Sequence, residues 1–148
     1  MIRLERTCDV SLAEQAHAFL ADLDRYYPNF GDWYRKQVLP GIARGQDAMV
    51  LAWDGDRLAG VALGKRTAAE TKLRCVRVGL DWANSGLGLR LIERMFEELE
   101  TQKPACTVSE EMLHQYSRPF VNRYGFELSS VDKGRYRRGK LEYAFNGG

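Results

Sequence analysis

A chain of 148 residues, 45% hydrophobic and 28% charged, has the size and mix of one compact domain spanning 1–148, with a core able to stand alone. Its first residues carry Arg3, Glu5 and Arg6 and no apolar run, which excludes a signal peptide or membrane span there and makes the cytoplasm the expected location. A net charge of +2 is too small to argue for nucleic acid, and Cys8, Cys75 and Cys106 lack the spacing of a disulfide scaffold or a metal site, so they read as small apolar residues in strands.

Residues 2–6 alternate, with Ile2 and Leu4 inward, as a short strand. A helix follows, with Ser11 and Glu14 as a capping box and Leu12, Ala16, Phe19, Leu20 and Leu23 on one face. After an aromatic turn, a second helix is expected from Trp33 to Leu39, closed by Pro40 and Gly41. The runs 48–53 and 58–63, joined by Asp54-Gly55-Asp56, form a hairpin, and 72–78 adds a third strand. Residues 86–100 are an amphipathic helix whose outer face carries Arg90, Glu93, Arg94, Glu97 and Glu98. A brief strand at 105–108 precedes a helix capped by Ser109, which Pro119 should interrupt. Strands at 126–131 and 141–145 close the chain. The order strand, two helices, three strands, helix, strand, helix, two strands implies a mixed sheet with helices on its faces, an α+β or α/β sandwich.

The chemistry concentrates in residues 78–91, which leave a strand and enter a helix directly. The free amides of a helix's first turn, with the positive end of its dipole, make an anion site, and Gly86 and Gly88 let a phosphate reach the backbone. Leu91 replaces the third glycine of a dinucleotide fingerprint, and no Gly-Lys-Ser/Thr closes a P-loop.

In this segment the chain resembles the GNAT acetyltransferase superfamily. Val78, Trp82, Gly86 and Gly88 match its strand-to-helix signature, and Phe120, Arg123, Gly125 and Phe126 its later aromatic helix ending in Gly-Phe. The resemblance implies transfer of an acetyl group from acetyl-CoA to an amine by direct attack, with no metal. Amides from Asn84 and Ser85 through Gly86, Leu87, Gly88 and Leu89 would hold the pyrophosphate. Val78 and Leu80, with the strand end near Val108, would flank the pantetheine arm; Arg90, Ser117 and Arg123 would lie close to the cofactor.

Two positions depart from the family pattern. Ala83 stands where a phosphate-binding Arg or Gln is usual, and Val121 where many members carry the tyrosine that reprotonates the CoA thiolate. Tyr116, His114, Ser117 and Tyr124 are substitutes, with Tyr116 ranked first and His114 second; His114 could equally act as base. Glu110, Glu111 and Asp32 are the carboxylates that could receive the amine proton. By resemblance the aromatic run Tyr26, Tyr27, Phe30, Trp33 and Tyr34 walls the acceptor side.

The acceptor is left open between a small amine, a peptide or protein amine and an aminoacyl-tRNA, the last prompted by the basic stretch 133–140. Pairing into a homodimer and absence from membranes are the remaining partner expectations. A GNAT-like domain without catalysis, sensing acyl-CoA or docking to protein or RNA, is the alternative that Ala83 and Val121 motivate. A small RNA-binding domain without CoA leaves the Gly86–Gly88 helix start unexplained.

Overall fold

The structure is a computed structural model that describes residues 1–148. Four antiparallel strands, β1 (Ile2–Thr7), β2 (Asp47–Asp54), β3 (Arg57–Arg66) and β4 (Thr71–Val78), form one sheet in sequence order. A second antiparallel sheet runs β5 (Cys106–Ser109), β7 (Leu141–Phe145), β6 (Leu128–Lys133). A parallel bridge between Lys72 and Ala105 joins the two sheets. The hairpin turn falls at Gly55, where φ is +62°.

Helical segments cover both faces, giving the α+β sandwich. α1 (Val10–Leu20), α2 (Phe30–Trp33), the π-helical stretch Tyr34–Val38 and α3 (Leu39–Ala43) bury Leu20, Phe30, Tyr34 and Ile42 against Met49, Leu51, Val61 and Leu63. On the other face α4 (Leu87–Leu99) sets Leu91, Ile92, Met95 and Leu99 against Val50, Ala52 and Ala62, with α5 (Leu113–Ser117) and the helical turn after it alongside. No helix is long and apolar enough to cross a membrane.

Five local expectations are corrected. Asp9, not Ser11, caps α1, its carboxylate accepting the Ser11 amide at 2.8 Å, because a carboxylate two residues earlier meets the first free donors. Pro40 does not close the second helix and Pro119 does not interrupt the last one. Each lies at or beside a π-helical stretch, Tyr34–Val38 and Arg118–Arg123, whose wider turn accommodates a ring that lacks an N–H. Ser109 ends β5 instead of capping a helix. Cys8 lies exposed between β1 and α1, whereas Cys75 and Cys106 are in strands.

β3 meets α4 through two glycines. A Cβ on Gly60 would lie 2.8 Å from Leu91 Cδ1 and 3.1 Å from the Arg77 carbonyl, and one on Gly64 would lie 2.7 Å from Met95 Sδ. Gly60→Ala is therefore expected to push α4 outward and cost about 1–3 kcal/mol, lowering Tm by several degrees in a thermal melt; an unchanged Tm would show that the helix seats elsewhere.

Candidate active site

The strand-to-helix turn is built to present amides. Asn84 and Gly86 have positive φ (60° and 83°), which folds the turn tightly before α4, and a Cβ on Gly86 would meet no atom within 4 Å. As the first residues of α4, Leu87, Gly88 and Leu89 have amides without helical acceptors, and the amides of Asn84, Ser85 and Gly86 meet no acceptor in the chain either. The loop is anchored rather than loose. Trp82 donates its indole N–H to Asp54 at 2.9 Å, Arg57 stacks over the Trp82 ring, and the Ser85 hydroxyl donates to the Trp82 carbonyl. Of the flanking residues, Val78 packs on the core while Leu80 is 93% exposed. Arg90 is exposed, and Arg123 pairs with Glu93 on the outer face of α4 at 3.6 Å.

Beyond the parallel bridge, β4 and β5 form no further pairing, so a cleft opens between them. Tyr116, from α5, lines it, and its hydroxyl donates to the Val76 carbonyl at 3.1 Å. Burial pushes this phenol up to about 12. Phe120 stacks beside Tyr116 and lines the cleft as well. Ser117 is half-buried one residue on, His114 is exposed and outside the cleft wall, and Val121 is 46% exposed. The Tyr124 hydroxyl is buried without a partner, and its ring packs on Phe96. Cys75 and Cys106 line the cleft too, and burial pushes both thiols up to about 12, far from the thiolate form.

A cavity of about 290 Å³ adjoins the cleft on the α1–α2 side. Tyr27, Phe30 and Trp33 wall it and Tyr26 lines the neighbouring cleft, while Tyr34 is fully buried core, donating its hydroxyl to Ala13. The residues the sequence expected as one aromatic wall are thus divided between cavity and core.

The three carboxylates singled out from the sequence are engaged elsewhere. Asp32 pairs with Arg35 on the surface, Glu110 accepts the Leu141 amide at 2.7 Å, and Glu111 holds Arg137 by two bonds of 2.6 and 2.7 Å. A carboxylate that sequence reasoning passed over is tied to the cleft wall through Tyr27. Glu142 is 3% exposed and accepts the Tyr27 hydroxyl at 3.2 Å; burial raises its pKa against the opposing hydrogen bonds of Thr107 and Tyr27. Thr107 and Tyr27 both line the cleft. Burial, reinforced by Glu142, also raises the Tyr27 phenol. The one sequence signal for Glu142 was an acid flanked by Leu141 and Tyr143, on the same strand parity as Ala144. Arg74, also overlooked, points into both spaces.

The basic stretch is partly neutralised, Arg135 by Asp132 and Arg137 by Glu111. Those two bonds from Arg137 hold the Glu111 carboxyl down at about 2 from its ordinary 4.5. A carboxyl lower in the folded than in the unfolded state adds stability that is complete above the ordinary value and lost as pH falls toward the folded one. Glu111→Gln should therefore be less stable than wild type at neutral pH, with the gap closing between about pH 5 and pH 2 in denaturant titrations. A gap independent of pH would show that the pair contributes by packing alone.

No curated protein matches the chain in sequence. NAA60 of Arabidopsis thaliana, solved with a bisubstrate analogue, superposes with a TM-score of 0.72 at 15% identity, covering 100% of both chains. The ribosomal-protein-S18-alanine N-acetyltransferase of Escherichia coli gives 0.69 at 14% identity over 98% of this chain and 92% of its own. A Bacillus subtilis acetyltransferase in complex with CoA gives 0.66 at 17% over 98% and 97%. These likenesses establish the fold, and a sequence model of the acetyltransferase (GNAT) domain matches residues 29–139. The chain is a member of the GNAT acetyltransferase family.

Proposed function

We propose that the protein is an N-acetyltransferase that passes the acetyl group of acetyl-CoA directly to an amine. The carrying observation is the run of unpartnered amides from Asn84 to Leu89, on a turn with room at Gly86, in a chain whose β4–β5 cleft is lined by Tyr116. Six amides and the positive end of a 13-residue helix fit a pyrophosphate in charge and shape. The amine nitrogen bonds to the thioester carbonyl carbon as the carbon–sulfur bond breaks; the nitrogen loses a proton to the protein, and the sulfur leaves as the CoA thiolate, which takes a proton from solvent on release. Tyr116 supplies the hydrogen bond to sulfur, turning its one O–H from the Val76 carbonyl to do so. Glu142 receives the amine proton through the Tyr27 and Thr107 hydroxyls, which tie its carboxylate to the cleft. Cys75 and Cys106 stay protonated, which disfavours an acyl-cysteine relay and supports direct attack.

One structural neighbour carries amine acetylation in its name, the ribosomal-protein-S18-alanine N-acetyltransferase, and this supports an amine acceptor. Isothermal titration with acetyl-CoA and with free CoA tests the proposal. Binding of both, followed by thiol release when amines are added, is the expected result. Binding without turnover on any amine would favour an acyl-CoA sensor, and no binding by folded protein would overturn the cradle.

A further inference from the structure

The acceptor-side cavity has charge of only one sign. Its charged lining residues are Lys72 and Arg74, and no Asp or Glu reaches its wall. Lys72 is partly engaged by Glu70 at 3.9 Å. Arg74 is held in place by several independent features. It is the extra residue of a β-bulge, where the β3–β4 register slips between Leu63 opposite Cys75 and Gly64 opposite Leu73. A bulge of this kind re-aims a side chain, and here it turns Arg74 to the acceptor face beside Cys75. The guanidinium lies over the Trp33 ring, 5.0 Å from its centre. Its Nε sits 2.9 Å from Asp47 Oδ1, a close ion contact without hydrogen-bond alignment. Asp47 is buried behind it, pressed over Gly41, where a Cβ would lie 1.7 Å from Oδ2.

Asp47 and Trp33 thus fix the plane of the guanidinium from behind, and its two terminal nitrogens meet no acceptor in the chain. A fixed planar fork is the side chain best matched to a carboxylate, which it takes by two parallel bonds. The space in front of it, about 290 Å³, corresponds to about ten water volumes, the scale of a single amino acid. Tyr27, Phe30 and Trp33 offer rings for an apolar or aromatic side chain.

We infer that the acceptor is an α-amino acid with a large apolar or aromatic side chain, its carboxylate received by Arg74 in the bulge of β4. This rests on the acetyl-CoA reading above and narrows its acceptor from any amine to one that carries its own anion. Arg74 lines both the cavity and the cleft that holds Tyr116, so the amino group of a ligand anchored there faces the reaction point.

The test uses acetyl-CoA with L-phenylalanine, L-phenylalaninamide and phenethylamine, following thiol release. The wild-type protein should favour phenylalanine in kcat/KM by about 30-fold or more over the other two, through KM. The amide is the weaker base and offers more neutral amine, so intrinsic reactivity runs against that result. In Arg74→Gln the preference should collapse to about one, with Arg74→Lys restoring part of it. Because Arg74→Gln leaves Asp47 buried alone, the double variant Arg74→Gln/Asp47→Asn, which removes both charges, repeats the measurement if the single one fails to fold. Binding of phenylalanine alone, read by tryptophan fluorescence, should be lost with the preference. Equal use of acid, amide and amine by a protein that binds acetyl-CoA overturns this inference and leaves the enzyme reading standing. Failure to bind acetyl-CoA overturns the enzyme reading itself, whereas phenylalanine binding without it would keep Arg74 as a carboxylate site.

Discussion

Gly86→Asp should eliminate measurable acetyl-CoA binding while the protein stays folded. The residue caps α4 with φ at +83°, a conformation that Asp and Asn tolerate better than other side chains, and open space surrounds the position of its Cβ. The folding cost is about 1 kcal/mol of lost glycine freedom, partly offset because a carboxylate at a helix N-terminus is favourable to the dipole. Against the cofactor the same carboxylate is decisive. A like charge placed about 4 Å from a phosphate at an effective dielectric near 20 opposes binding by about 4 kcal/mol, about a thousandfold in Kd. Gly86→Asn separates charge from bulk, since it has the same shape without the charge, and should weaken binding by about tenfold at most. Titration calorimetry of the three proteins reads both terms. Equal losses in Asp and Asn would make the effect steric, and full retention in Asp would place the phosphates elsewhere.

What could be read in the sequence was what depends on short-range pattern. The Gly86–Gly88 turn, the α4 stripe of Leu91, Ile92, Met95 and Leu99, and the Asp-Gly hairpin are local signals, and the structure has each of them. The helix boundaries at Pro40 and Pro119 were misread for one reason. Proline ends a regular α-helix, but a π-turn changes which carbonyl needs an N–H, and nothing in the residue types announces that turn. Arg74 and Glu142 were invisible for another. A bulge in β4 depends on how β3 pairs with it, and the burial of Glu142 depends on α1 and the turn after it bringing Tyr27 across to β7, a contact between residues 115 positions apart. Such side chains gain their chemical character from neighbours that composition and periodicity do not identify. The carboxylates chosen from sequence proximity, Glu110 and Glu111, show the converse, since both are spent on bonds to the β7 amide and to Arg137.

Tyr116→Phe should lower kcat by about 10²- to 10³-fold, the loss expected when one fixed donor is removed from a developing negative charge, with acetyl-CoA affinity changed only a few-fold. The phenol is held up at about 12 by burial. A thiol ionises near 8.5, so complete proton transfer from Tyr116 to the leaving sulfur is uphill by several pH units. The residue therefore acts chiefly as a donor that keeps its own proton, and a neutral donor is present at every pH in the working range. The deficit of the Phe variant should accordingly be uniform from about pH 6 to pH 10. Were His114 the proton source instead, Tyr116→Phe would leave kcat nearly unchanged and His114→Gln would carry the loss. The Phe variant also leaves the Val76 carbonyl without its 3.1 Å partner on the open edge of β4, a cost of about 1 kcal/mol and a Tm lower by a few degrees. Stability and turnover thus report separately on one hydroxyl. A Tm decrease with unchanged kcat would confine Tyr116 to bracing the strand edge and return the search for the acid to the buried, unpartnered hydroxyl of Tyr124.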